Sequence, residues 1–306
     1  MRPGTFVQDT IRFGLDLRSW RAGLKAARLP SLVIAAVSCV LGIVLAYREG
    51  RGDLLNSLAV LAAGLALQAG VNLVNDFFEF RQKRVPDKIA GYGLSVPVRE
   101  FLELLIFLVG LAFFGLSGLL GLFLAWRSGW PVLAFGLLGW LSGFFYTGEP
   151  LNYKRRGLAV SLVFFSMGII MIPGACFAVG GRLSVESIVA AVPVSFLISL
   201  ILLANELRDF ESDVRFGIRT LAVRIGYRNA VIVLCVLLAG AYLSPSVLRA
   251  AGGFPGFPLV LLAAPAAVPP FLFLRRPPER RGGIIPVVMI HHLVYGFFYC
   301  WAYLHD

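Results

Sequence analysis

Six of the 17 acidic residues in this 306-residue chain fall in two nine-residue segments that share a pattern. Asn75 to Lys83 reads NDFFEFRQK and Asn205 to Asp213 reads NELRDFESD. Both place Asn first, an acid second, an acid fifth (Glu79, Asp209) and Phe sixth (Phe80, Phe210). On a helix, residues three or four apart share a face, so Asn75 stacks with Glu79, Asp76 neighbours Glu79, and Asn205, Asp209 and Asp213 line up together. Each segment thus offers a small cluster of oxygen ligands with no His or Cys beside it, a donor set that favours magnesium over zinc. Magnesium held by one or two carboxylates completes its shell with water and substrate phosphates, so two clusters facing one cavity imply a diphosphate bridged by two ions. Lys83, Arg84, Lys88, Lys154, Arg208, Arg215 and Arg219 fall on the same side of the apolar segments. Lys154, Arg208 and Arg219 sit within or beside motifs and are the candidate phosphate contacts; the others read as loop charges. A solvated face with snorkelling side chains is the bland alternative. Recurrence of the same spacing 130 residues apart favours an internal repeat whose two copies face one another.

The elements that must position these groups are membrane-spanning helices. Hydrophobic residues make up 58% of the chain and charged residues 15%, with a mean hydropathy of +0.81, too little polar side chain to cover a water-soluble globule. Apolar runs long enough to cross a bilayer fall near residues 30–47, 54–78, 101–125, 131–147, 158–179, 186–207, 229–248, 257–274 and 284–304. The expectation is an all-α polytopic bundle of about nine spans, residues 30–306, preceded by a basic amphipathic arm, residues 1–29. Pro265, Pro269 and Pro270 interrupt the eighth run. Of the 28 Lys and Arg, 23 fall in the arm and in alternate loops, leaving Arg48, Arg51, Arg127, Arg182 and Arg249 on the opposite side. The positive-inside rule then places the N-terminus and both acidic motifs in the cytoplasm and the C-terminus outside. A net charge of +11 distributed in this way is a topology signal and argues against nucleic acid as a partner. Cys39, Cys176, Cys235 and Cys300 lie singly in apolar runs and read as packing residues. The first 29 residues lack the apolar stretch of a cleaved signal peptide.

These residues resemble the UbiA superfamily of intramembrane prenyltransferases. NDFFE at Asn75 is similar to that family's first motif, N-D-x-x-D-x-x-x-D, and NELRDFESD at Asn205 to its second, N-x-x-R-D-x-x-x-D. The run from Arg219 to Gly226, RTLAVRIG, resembles the continuation K-x-T-L-A-V-x-x-G. Tyr146 to Lys154, YTGEPLNYK, followed by Arg156, Gly157 and Leu158, resembles the intervening Y-T-x-x-P segment. Arg28 and Pro30 match the Arg-Pro pair that precedes the first span. The resemblance covers spans one to seven and implies a helical bundle around a central cavity open laterally to lipid. It further implies Mg2+ and a polyprenyl diphosphate at the cytoplasmic cap, in an integral protein of a bacterial cell membrane. On this reading Asp76, Glu79, Asp87, Asp209 and Asp213 are metal ligands, with Tyr146 and Lys154 joining them in catalysis. Asn72, Asn75, Lys83, Asn205, Arg208 and Arg219 bind substrate. Tyr146 and Phe78 offer ring faces to an allylic cation. Glu79 and Lys83 stand where the family has Asp, with Asp87 a replacement ligand as in the menaquinone branch. Ala159 and Val160 stand where the family commonly has Gly and an acid.

The sequences NLVND at Asn72 and YTG at Tyr146 favour the menaquinone-pathway branch, whose aromatic acceptor is 1,4-dihydroxy-2-naphthoate, over the 4-hydroxybenzoate branch. A CDP-alcohol phosphotransferase is excluded because its D-G-x-x-A-R core is absent. A transporter with broken helices is a different class, warranted by Gly and Pro in spans five, six and eight. The acids of a transporter would lie at the bilayer midplane, whereas these lie at one face. His291 and His292 in the last span read as an interior packed or hydrogen-bonded pair.

Overall fold

A computed structural model of the chain describes residues 29–81, 96–250 and 257–305. The N-terminal arm to residue 28 and the loop carrying Lys83 and Asp87 lie outside the described residues. Among the described residues every regular element is helical. The helices are α1 (Leu29–Arg48), α2 (Leu54–Arg81), α3 (Val96–Ser128), α4 (Pro131–Phe144), α5 (Ala159–Val163), α6 (Met171–Gly180), α7 (Val185–Arg208), α8 (Phe210–Arg215), α9 (Leu221–Ile225), α10 (Tyr227–Ala250), α11 (Phe257–Leu261), α12 (Val268–Leu274) and α13 (Ile284–His305). Among the described residues seven spans are long and apolar enough to cross a membrane, with α5, a π-helical stretch (Phe164–Ile170) and α6 counting as one.

The fourth and eighth expected runs give shorter helices. α4 stops at Phe144 because the chain turns there into the loop that carries Tyr146 and Lys154. The eighth run is divided into α11, a 3₁₀ turn (Ala264–Ala267) and α12. Pro265, Pro269 and Pro270 have no amide hydrogen for the helical ladder, and each ring crowds the preceding turn.

α7 is the central pillar: 72% of its most apolar stretch is buried, against 17% for α3 and for α10, which leave large aliphatic side chains such as Leu119, Leu122, Val236 and Leu243 exposed. It packs on α10, α13, α5 and the π-helical stretch, while α1 packs on α6, α2 and α13, and α2 on α3. Small residues permit the closest approaches. Gly42 of α1 lies against the Ile172 carbonyl of α6, and Gly168 so close to α7 that a Cβ there would overlap the Ser195 side chain. The connections gather at two ends. At one, the loop after α4 meets the end of α2 through Lys154 and Glu79, and Arg281 before α13 meets Glu211 of α8. At the other, Arg48 pairs with Glu186 and Arg127 with Asp53, beside Trp126 and Trp130, exposed aromatics of the kind that sit at a membrane interface. Cys39 and Cys176 are buried, whereas Cys235 faces outward.

Candidate active site

The last turns of α2 carry Gln68, Asn72, Asn75 and Glu79 at intervals of four, three and four, a spacing that keeps them on one stripe. All four line a single cavity of about 1170 Å³. Asn72 is fixed by reciprocal hydrogen bonds with Ser31 of α1 (2.8 and 3.0 Å) and accepts another from Gln68 (3.1 Å). Asn75 accepts a hydrogen bond from the Thr147 hydroxyl at 2.6 Å. That bond ties α2 to the loop after α4, whose backbone folds back on itself through Tyr153 N–H to the Phe145 carbonyl (3.2 Å) and Lys154 N–H to the Tyr146 carbonyl (3.0 Å). Gly157 closes the loop at φ +71°, a left-handed conformation that a side chain would strain. The loop delivers Lys154, whose Nζ donates to Glu79 Oε1 at 2.6 Å.

On the facing side α7 ends at Arg208 and the chain restarts as the six-residue α8. Asp209 N–H still bonds to the Asn205 carbonyl (3.1 Å), and Asp213 N–H to the Asp209 carbonyl (2.8 Å), so Asn205, Asp209 and Asp213 keep their stacked order. The Arg208 guanidinium forks onto Asp209, Nε to Oδ1 at 2.7 Å and Nη2 to Oδ2 at 2.5 Å. Asp213 accepts from the Thr220 hydroxyl at 3.5 Å. Burial pushes the Asp213 carboxyl up to about 6, with Asp209 and Glu79 acting in the same direction and Lys154 and Thr220 opposing them.

The structure therefore brings together Asn72, Asn75, Glu79, Tyr146, Lys154, Asn205, Arg208, Asp209 and Asp213 on one wall system. It does not bring Asp76 there. That residue stands one turn from both Asn72 and Glu79 but is 1% exposed and is not among the residues that line the cavity. Arg219 is exposed and does not line the cavity. Phe78 packs edge-on against Phe77, Phe107 and Phe144 instead of facing the cavity. Val160 is buried, its carbonyl accepting from Ser199. His291 bonds Tyr242 at 2.9 Å, as an interior structural His would. Two residues were not expected. Gln68 joins the α2 stripe and was readable from its spacing to Asn72. Glu206 is buried and accepts the Ala222 N–H at 3.0 Å, holding α9 to α7, a contact no local pattern announces.

Away from this polar mouth the cavity is apolar, bounded by residues such as Leu67, Leu124, Phe135 and Met167. Among the described residues no three His, Cys, Asp or Glu side chains gather into a self-sufficient metal cage. Glu79 and the Asp209–Asp213 pair instead line one cavity from two helices. This donor set fits an ion that takes few protein oxygens and completes its shell with phosphate and water.

A cavity with carboxylates and cations at one mouth and apolar side chains beyond, set among membrane-spanning helices, is a chamber suited to an amphiphile. The chain belongs to the UbiA prenyltransferase family, whose sequence model matches residues 35–283. It is 30% identical over 213 residues to the 1,4-dihydroxy-2-naphthoate octaprenyltransferase of Bacillus subtilis, covering 70% of this chain and 68% of that one. It is 32% identical over 238 residues to UbiA prenyltransferase domain-containing protein 1 of Danio rerio, covering 76% and 70%. The fold matches a UbiA homologue from Archaeoglobus fulgidus bound to GPP and Mg2+ with a TM-score of 0.58 at 16% identity, over 90% of this chain and all of that one. The protein is an integral membrane prenyltransferase.

Proposed function

We propose that this prenyltransferase moves a polyprenyl group from an isoprenyl diphosphate to 1,4-dihydroxy-2-naphthoate, using magnesium, at the cytoplasmic face of a bacterial cell membrane. The observation that carries the donor half is the meeting of Glu79 and Lys154 with Arg208, Asp209 and Asp213 at the polar mouth of one apolar cavity. The acceptor half is supported by the naphthoate prenyltransferase of Bacillus subtilis among the relatives and by the sequences NLVND at Asn72 and YTG at Tyr146. The cytoplasmic placement is supported by the 23 to five division of Lys and Arg between the two sides.

Glu79, Asp209 and Asp213 are the residues that would hold magnesium, with Asp87 a further candidate ligand. Magnesium, when bound, neutralises the diphosphate and makes it a better leaving group. Lys154 and Arg208 donate to diphosphate oxygens, where their charge is worth most as negative charge develops. Asn75 and Asn205, held by Thr147 and by the end of α7, orient the head group, and Asn72 marks the start of the apolar chamber that receives the tail. The bond between the allylic carbon and the diphosphate oxygen breaks, and its electron pair leaves with the diphosphate. Tyr146 lines the same cavity, where its electron-rich ring would stabilise an allylic cation held against its face. A ring carbon of the acceptor then supplies the electrons of the new carbon–carbon bond. The carboxyl group leaves that carbon as carbon dioxide, and the electrons it leaves behind restore the aromatic ring.

Purified protein incubated with magnesium, radiolabelled polyprenyl diphosphates and a panel of quinone precursors tests both halves at once, with products identified by mass. Prenylated dihydroxynaphthoate lacking its carboxyl group is the expected product. Strong preference for 4-hydroxybenzoate would overturn the acceptor and leave the donor site standing. Turnover of no diphosphate with any acceptor would overturn the donor site as well.

A further inference from the structure

The link between α12 and α13 carries Arg275, Arg276, Arg280 and Arg281. Three of them are exposed, as loop charges should be, but Arg281 is only 8% exposed. A guanidinium out of water is costly unless its donors are satisfied and its charge is met. Here Nη1 donates to both oxygens of Glu211, at 2.7 and 2.9 Å, and Nε to the Arg276 carbonyl at 3.0 Å. The guanidinium carbon lies 4.6 Å from the centre of the Tyr227 ring. Tyr227 in turn donates its hydroxyl to the Leu274 carbonyl (2.8 Å) and packs edge-on against Phe210. One side chain thus joins the α12–α13 link, the start of α10 and the helix α8.

α8 is the element that carries the second acidic motif, and it has six residues and no side-chain cap. A helix this short does not hold its shape alone, so its neighbours decide where its side chains point. Asp209 and Asp213 are four apart and share the cavity face; Glu211, two from each, points to the opposite side. The inner side of α8 is held by Ile218 N–H to the Asp213 carbonyl at 2.8 Å and by the Thr220 hydroxyl. Arg281 holds the outer side through Glu211.

We infer that Arg281 is a positioning residue for the metal and diphosphate site: gripping Glu211, it clamps α8 so that Asp209 and Asp213 face the cavity at a fixed spacing. This rests on the donor half of the proposed function. Arg281 itself does not line the cavity.

The test uses full-length protein in detergent, Mn2+ as a spectroscopic stand-in for magnesium, and inorganic diphosphate. Mn2+ affinity is read by electron paramagnetic resonance, beside thermal unfolding and steady-state kinetics. Arg281→Met and Glu211→Gln are each expected to weaken Mn2+ about tenfold, the low end of the range for losing a direct partner of a metal ligand because this clamp acts through the α8 backbone, with the acceptor KM unchanged. The double variant should be no worse than either single one, because both break the same contact. Arg281→Lys should recover only part of the affinity, since an ammonium neither forks onto a carboxylate nor stacks on a ring in the same way. Should Arg281→Met fail to fold, Glu211→Gln carries the test, because Glu211 is partly exposed. Lowered unfolding temperature with unchanged Mn2+ affinity, or additive losses in the double variant, would overturn the inference alone. A wild-type protein that binds no Mn2+ would overturn the donor-site reading together with it.

Discussion

Replacing Lys154 with Met separates what this residue does for the fold from what it does for the reaction. The Lys154–Glu79 pair is 2.6 Å long, with side-chain exposures of 25% and 16%. A hydrogen bond to a charged group contributes about 1.5–3 kcal/mol, and partial solvent access at this mouth lowers that, so loss of the pair should cost the fold ~1–2 kcal/mol. Met keeps the length and most of the volume of the stem, so little packing is lost with the charge. If Lys154 donates to the leaving diphosphate, the reaction loses a group aimed at developing negative charge, which costs roughly 3–4 kcal/mol, or two to three decades of rate. The two magnitudes are distinguishable: the first shows as a small drop in unfolding temperature, the second as a collapse in turnover of protein that is still folded. Two-substrate kinetics then assign the contact. A KM raised for the diphosphate alone marks a phosphate ligand, and one raised for the acceptor alone marks the acceptor carboxylate. Activity with both substrates within about threefold of wild type, too small a change for a lost transition-state contact, would refute either role.

The long helices were legible in the sequence because an apolar run of about 20 residues has few alternatives in a bilayer. α1, α2, α7, α10 and α13, and the span from α5 through α6 taken as one, end within a few residues of the expected limits. The prolines at 265, 269 and 270 announced the broken region without giving its shape, because Pro states which bonds are missing and not how the chain bends. The π-helical stretch from Phe164 to Ile170 had no visible signal; Gly168 permits it by letting α7 approach, and that contact is tertiary. At the site, spacing placed Asn75 with Glu79 and Asn205 with Asp209 and Asp213. Asp76 stands one turn from both Asn72 and Glu79, so its burial away from the cavity lining was not legible from the helical period. Pairings between distant segments were not legible. Nothing local joins Lys154 to Glu79 across 75 residues or Arg281 to Glu211 across 70. Arg281 has the composition of a loop charge, and only its burial shows that it is something else.

The remaining predictions concern the carboxylates, the topology and the order in which the site fills. Asp209→Asn and Asp213→Asn should each abolish turnover with little change in unfolding temperature, because each removes a charge beside the cavity while Asn keeps an oxygen that can accept, at the buried Asp213, the Thr220 hydrogen bond; wild-type rates in both would refute the two-ion arrangement. A reporter fused after residue 306 should be active only outside the cytoplasm; activity confined to the cytoplasm would invert the topology. The last prediction follows from how the charges at the mouth are paired. Lys154 bonds Glu79 and Arg208 bonds Asp209, so two cations already serve two of the carboxylates assigned to metal. A diphosphate arriving alone would draw both cations away and leave the partly buried Glu79 and the more exposed Asp209 facing its negative charge with no cation between them. Arriving with magnesium it exchanges partners: the cations move to phosphate, the carboxylates to metal, and no charge is deserted. Each ligand should therefore tighten the other by the same factor, of the order of 5–150-fold, as coupled sites require. Calorimetric titration of an isoprenyl thiodiphosphate with and without magnesium, and of magnesium with and without the thiodiphosphate, measures both arms. Equal affinities in the two arms with and without the partner would show that Lys154 and Arg208 stay on their carboxylates and take no part in holding the donor.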